Sequence, residues 1–345
     1  MKRITVLGLL LLFAAVRLAA QDCAASAKMD GKWGFVKTTG EWLIEPRFKA
    51  VQDFSEGLAA AREGDLWGYV DPRGSFVIAQ GLNRAEKFSE GLAQAKPSEK
   101  GNDNWGYIDQ SGKWVIPASF TGCQSFSEGL AAAKKGGLYG YIDKTGAWVI
   151  AEQFEHAEHF SEGLARVKKD GKVGFIDKSG NTVIPYTFDG ARDFTEGLAR
   201  VKMDDKWGFI DQTGKVVIPV EYDNAGQFSS GLAAVEKDKK WGYLDGAGKW
   251  VINPSIPSLG LVAELSNDRF ASDGLIAVNT SAKLWGFSDL GGKEVIHAQF
   301  QNIEPFSCGF AAANDGKSWG FIDKAGKWVV SPKFENVKSF RAVQE

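Results

Sequence analysis

The sequence predicts an all-β chain of nine small repeats, and three observations predict it. A Trp-Gly pair or its counterpart returns at Trp33, Trp67, Trp105, Tyr139, Val173, Trp207, Trp241, Trp285 and Trp319. Six of the eight intervals between them are 34 residues, and the other two are 38 and 44. Between these pairs lie short β-branched and aromatic runs bounded by glycine-bearing turns, and no helical period persists. A fixed period of this length is the mark of a repeat architecture.

One unit, Gly163 to Glu196, shows each element in order. Leu164 to Lys169 is a first strand, and Asp170-Gly171 is a polar turn. Val173 to Asp177 is a second strand, followed by the turn Asp177-Lys178-Ser179-Gly180. Thr182 to Pro185 is a third strand. A looser anchor segment, pinned by Phe188, Ala191 and Phe194, closes the unit.

The Asp-x-x-Gly turn predicts a type I turn with a glycine bulge: Asp bonds the backbone two residues on, and Gly accepts a positive φ. Asp holds this place in eight of nine units, with Lys37 the exception. A calcium site is not expected from these residues, because each unit offers one Asp that its own turn already uses. The hexamer FSEGLA at Phe54, Phe88, Phe126 and Phe160, and FTEGLA at Phe194, reads as the corner between units. Phe is a buried anchor, Ser-Glu-Gly is the turn, and Leu-Ala opens the next meander. Later corners, such as Phe228-Ser229-Ser230-Gly231 and Phe306-Ser307-Cys308-Gly309, keep Phe and Gly and lose Glu, as a packing motif should.

A unit of three short strands cannot bury a core alone and needs its neighbours. The expected shape is an open, twisted array of nine three-stranded meanders, each with its anchor segment. The alternative is a closed β-propeller, whose blades usually carry four strands. The array begins and ends in phase, since Ala24 to Lys32 aligns with Leu164 to Lys172, and Phe334, Val337 and Phe340 align with Phe188, Ala191 and Phe194.

Residues 1–20 have a basic start, an apolar run from Ile4 to Val16 and the small residues Ala19-Ala20. That is the build of a secretory signal peptide. Cleavage after Ala20 is expected, leaving 21–345 as the nine-unit array with insertions near 97–103 and 253–270. No stable membrane span is expected afterwards, and the expected location is periplasmic or secreted. Net charge is −2, which gives no reason to expect a nucleic-acid partner. Cys23, Cys123 and Cys308 are an odd set, so at least one stays unpaired, and a chain of this length is not a disulfide scaffold.

The string KWGFIDQTGKVVIP, Lys206 to Pro219, and WGFIDKAGKWVV from Trp319, resemble the bacterial WG repeat, also called the KWG repeat. The resemblance covers all nine units and implies a repeat protein. It carries over no catalytic residues. Units four and five depart by losing Trp (Tyr139, Val173), and unit eight by Ser288 and Glu294.

No nucleophile or phosphate-loop motif is present, so no enzyme activity and no cofactor are expected. His156 and His159 lack a third ligand, and no metal is expected. Stacking turns each repeat position into a row. The corner acids Glu56, Glu90, Glu128, Glu162 and Glu196, and the lysines before the Trp-Gly strands, read as ordinary solvated turns. Trp42, Trp114, Trp148, Trp250 and Trp328 share a third-strand position that elsewhere holds Phe76, Thr182, Val216 or Glu294. A position this tolerant is expected to be partly exposed, and exposed aromatics suit a sugar face or a protein interface. The apolar insertion, with Ile256, Leu261 and Leu265, is a second candidate docking element. The expected function is an exported scaffold that binds another protein; the alternative is a carbohydrate-binding module that uses the Trp row.

Overall fold

The computed structural model describes residues 23–256, 271–280 and 283–343. Among them every regular element is a β-strand. The expected signal peptide lies outside the described residues.

In the fifth unit the first strand is Leu164–Lys169, the second Lys172–Ile176 and the third Thr182–Phe188. The first matches its expected bounds, while the third runs three residues further. The anchor segment is itself a strand. Gly190–Ala191 pairs with Lys202 and Val201, in the first strand of the next unit. Six sheets therefore have four strands, an anchor from one unit and then the first, second and third strands of the next, and the sheet of the first unit adds a short fifth. At Phe76–Ser89 a third strand and the following anchor run on as one, joining two such sheets into seven strands.

Both turns form for the local reasons given. Gly146 donates to the Asp143 carbonyl at 2.9 Å, and the Asp143 carboxylate accepts from the amides of Thr145 and Ala147 at 2.8 and 3.1 Å. Gly146 has φ +85°, the bulge conformation. The corner is a two-residue hairpin, with Ser127 and Leu130 bonded in both directions. Its loop residues Glu128 and Gly129 both have positive φ, 53° and 88°.

The core lies between sheets. Among the described residues, the second-strand aromatic of eight units is buried against the corner Phe that follows it, as Tyr107 against Phe126 at 4.8 Å and Phe175 against Phe194 at 4.9 Å. Where that aromatic is Tyr, its hydroxyl donates to a carbonyl, as Tyr141 does to Glu158 O at 2.8 Å. Burial and the nearby Glu158 and Asp193 charges push the Tyr141 phenol well up.

The all-β array of nine units is the expected one, and its two ends are joined. The first described strand, Cys23–Met29, takes Asn336–Val337, the anchor of the ninth unit, where other first strands take the anchor of the preceding unit. Arg341–Ala342 pairs with the same strand. The contact that relates each unit to the next recurs here. The turn glycines Gly74, Gly112 and Gly146 lie against Ile44, Ile78 and Ile116 of the preceding unit, and Gly40 lies against Val330 of the ninth. Ala25, Ala27 and Val36 share one buried cluster with Phe321, Phe334 and Phe340. Each end alone would leave an edge and an apolar face bare, and joining covers both.

Candidate functional site

The ring has two distinct edges. Along the anchors, neighbouring sheets touch directly. Gln52 Nε2 donates to the Ala85 carbonyl and the Glu86 carboxylate, both at 2.9 Å. Lys338 Nζ lies 3.6 Å from Asp53. In a closed ring the edges that touch are the inner ones, so the third strands form the outer rim.

The inner edge carries the chain's partly buried charges. Arg166 bridges Glu158 (3.3 Å) and Asp193 (3.2 Å), carboxylates from consecutive anchors. His159 lies 3.6 Å from Asp193, and His156 lies 2.9 Å from Glu158. Through its two bridges Arg166 holds two consecutive anchors together. Glu304, near Asp53 and Arg341, is raised above the usual carboxylate range by burial. Among the described residues no group of three His, Cys, Asp or Glu could hold a metal ion.

The corner acids and the lysines are not merely solvated, as their sequence suggested. Glu128 accepts from the Gly163 amide of the next corner at 3.1 Å and pairs with Lys178 at 2.9 Å. Glu162 and Gly197 repeat this bond at 2.9 Å. Lys96 lies over the Trp105 ring at 5.1 Å and Lys134 over Tyr139 at 4.7 Å. The acids tie one corner to the next, while these lysines cover the second-strand aromatic of their own unit.

On the outer rim, Trp42, Trp114, Trp148, Trp250 and Trp328 are all half-buried. Four meet an aromatic of the preceding unit edge-on: Trp42 with Phe334 (5.5 Å), Trp148 with Phe120 (6.1 Å), Trp250 with Tyr222 (6.0 Å) and Trp328 with Phe300 (5.5 Å). Trp114 packs on the cluster that contains Leu82. One edge of each indole faces water, but its body is an inter-unit staple.

In six of the nine units the next residue along the third strand is exposed, whereas Leu43, Val217 and Val251 are half-buried and packed on the core. Val77, Val149 and Val329 are 52%, 47% and 40% exposed, and Val115, Val183 and Val295 are comparable. This aliphatic row escaped the sequence reading, which weighed aromatics and passed over the valine beside each one. The period-2 alternation of Trp148-Val149-Ile150, with Ile150 buried, could have found it.

Ile256 is not a docking residue. It is buried, pairs with Trp241, and ends the third strand Trp250–Ile256 where other units place Phe. The strand simply extends through Asn253, so the insertion begins later than expected. Leu261 and Leu265 lie outside the described residues. Cys308, expected at an exposed corner, is bonded to Cys23. Cys123 is a free thiol, which burial pushes up to about 12. No helix among the described residues is long and apolar enough to cross a membrane.

The fold is similar to that of a eukaryotic initiation factor, at 14% identity and a TM-score of 0.62, over 92% of this chain and 98% of that one. It is also similar to the dihydro-heme d1 dehydrogenase NirN, at 12% identity and a TM-score of 0.52, over 94% of this chain and 75% of that one. At such identities the likeness concerns the fold alone. No curated protein matches the chain. The model of the WG containing repeat matches eight times, at residues 33–67, 67–96, 105–139, 139–172, 174–207, 207–241, 285–317 and 319–342. These stretches take in the second and third strands of eight of the nine units, with the glycine whose close packing is described above. The chain belongs to the WG-repeat family.

Proposed function

We propose that this protein is an exported, non-catalytic scaffold that binds another protein, at the cell envelope or outside the cell, through its outer rim. The exposed valine row on the third strands carries the proposal. Aliphatic surface repeated around a rigid rim gains free energy by burial against another apolar surface, whereas a polysaccharide offers it little. The basic-then-apolar first twenty residues and the Cys23–Cys308 disulfide support the exported part. The sequence, which holds no nucleophile or phosphate-loop motif, supports the non-catalytic part.

The test is capture from envelope extract with residues 21–345 as bait, beside the variant Val115→Ser, Val149→Ser, Val183→Ser. These side chains point to water, so the variant should unfold at an unchanged temperature yet lose its protein prey. Undiminished capture would remove the rim from the proposal. Because each third-strand Trp keeps one edge accessible, a second reading is glycan binding. Enriched polysaccharide without protein, abolished by Trp114→Ala with Trp148→Ala, would favour it.

A further inference from the structure

At six corners an acid reaches the amide of the next corner's glycine, while Ser230 holds the acid's place at another. Glu56 bonds to Gly91 at 2.9 Å, Glu90 to Gly129 at 3.0 Å, Glu196 to Gly231 at 2.8 Å and Asp273 to Gly309 at 2.8 Å. A corner serine adds a second bond, from its hydroxyl to the next corner's Phe carbonyl, as Ser127 does to Phe160 at 2.7 Å. In the eighth corner Ser307 still donates to Phe340 O at 2.7 Å, but Cys308 stands in the acid's place, with the same backbone conformation (φ 55°, against 53° for Glu128).

The corner that follows is built from two stretches distant in sequence, 340–342 and 23–24. Arg341 pairs with Ala24 as Ser127 pairs with Leu130 elsewhere, and Ala342 pairs with Cys23. Phe340, Arg341 and Ala342 thus fill the Phe, Ser and Glu positions, and Cys23 and Ala24 fill those of Gly and Leu. The Cys23–Cys308 disulfide, which spans 285 residues of sequence, therefore joins the acid position of one corner to the glycine position of the next.

We propose that this disulfide is a redox-controlled latch, a covalent stand-in for the corner hydrogen bond at the seam where these two stretches meet. A dithiol reductant would open it by exchange. One thiolate attacks a cysteine sulfur to give a mixed disulfide, and the second thiol then displaces it. Two electrons and two protons pass to Cys23 and Cys308, and the reductant leaves as its own disulfide. Both cysteines are only half-buried, so the exchange has access. Cys123 cannot substitute for either, since its burial keeps it protonated and unreactive. Once the latch is open, the seam is held by the backbone pairs Ala27 with Val337, Lys28 with Asn336, Ala24 with Arg341 and Cys23 with Ala342, and by the bonds of the Glu335 and Lys338 amides to Lys28 O and Ser26 O.

The full chain tests this directly. Alkylation should find one reactive thiol before reduction, after unfolding in the absence of reductant, and three after it. Hydrogen exchange of peptides covering 23–29 and 336–343 should quicken by roughly tenfold or more on reduction, while 164–176 is unchanged. Cys308→Ser should exchange like the reduced protein. Cys23→Gly with Cys308→Glu restores the corner pattern and should protect the seam regardless of reductant. Three thiols in the untreated protein, or seam exchange indifferent to reduction, would overturn the latch.

Discussion

The glycine after each Trp position is fixed by a neighbouring backbone, not by a turn. At Gly140 an added Cβ would stand 2.4 Å from the Ile150 carbonyl oxygen, and at Gly208 2.6 Å from that of Pro219. The third strand crosses the second there, through the irregular register between Tyr139–Phe154 and Tyr141–Ile150. Neither partner can yield without moving main chain. Gly140→Ala should therefore cost roughly 1–3 kcal/mol, in the range of overpacked cores. Gly136→Ala, where a Cβ meets nothing within 4 Å, should change stability by less than about 0.5 kcal/mol. Thermal unfolding of the two variants decides it, and equal melting temperatures would refute this account of the glycine. The close approach was readable in the sequence, because Gly follows the Trp position in all nine units even where Trp itself is lost, at Tyr139 and Val173.

At the scale of an element, the Asp-x-x-Gly turns store charge as local stability. The carboxyls of Asp109, Asp143 and Asp211 are held below their ordinary value of 3.8, mainly by the hydroxyls of Ser111, Thr145 and Thr213 and then by turn amides. Asn181 does the same for Asp177. At Glu128 burial acts upward, but Lys178 and the Gly163 amide win and hold it below 4.5. Groups depressed in this way stabilise the fold above their unfolded values and lose that contribution as pH falls through their folded ones. Stability should be level down to about pH 4.5 and then decline. Asp143→Ala with Asp177→Ala should melt below the parent at pH 6 and approach it at pH 3. A gap that stayed constant across that range would show that the charges do not matter. These turns were legible because donor, acceptor and glycine lie within five residues. The corner bond was not, since Glu128 and Gly163 are 35 residues apart. Nor was the fourth strand, because the two-residue anchor shows no alternation and its partner belongs to the next unit.

For the whole molecule, the sequence carried the clue to closure without its geometry. Ala24 to Lys32 aligns with later first strands and Phe334 to Phe340 with earlier anchors, and only three-dimensional pairing shows that each completes the other. The joined ends bear on how the chain responds to loss of its last residues. Trimming the end of an open repeat array frays one unit and leaves the rest as it was. Here residues 336–345 include Val337, Phe340 and Val343, all buried, and Val343 packs with Phe35 and Phe48 of the first unit. Their removal strips the first strand of its anchor and uncovers both end units at once. The truncated chain should melt well below the full one, with first-unit amides exposed early. Phe340→Ala alone should cost roughly 3–5 kcal/mol, the usual toll of emptying a buried aromatic site. Since Phe340 packs on Phe321 at 4.5 Å, with Ala25 and Ala27 of the first strand in the same cluster, its loss should be felt in 23–48 as much as in 319–334. Hydrogen exchange confined to the last unit would mean that the seam bears no load.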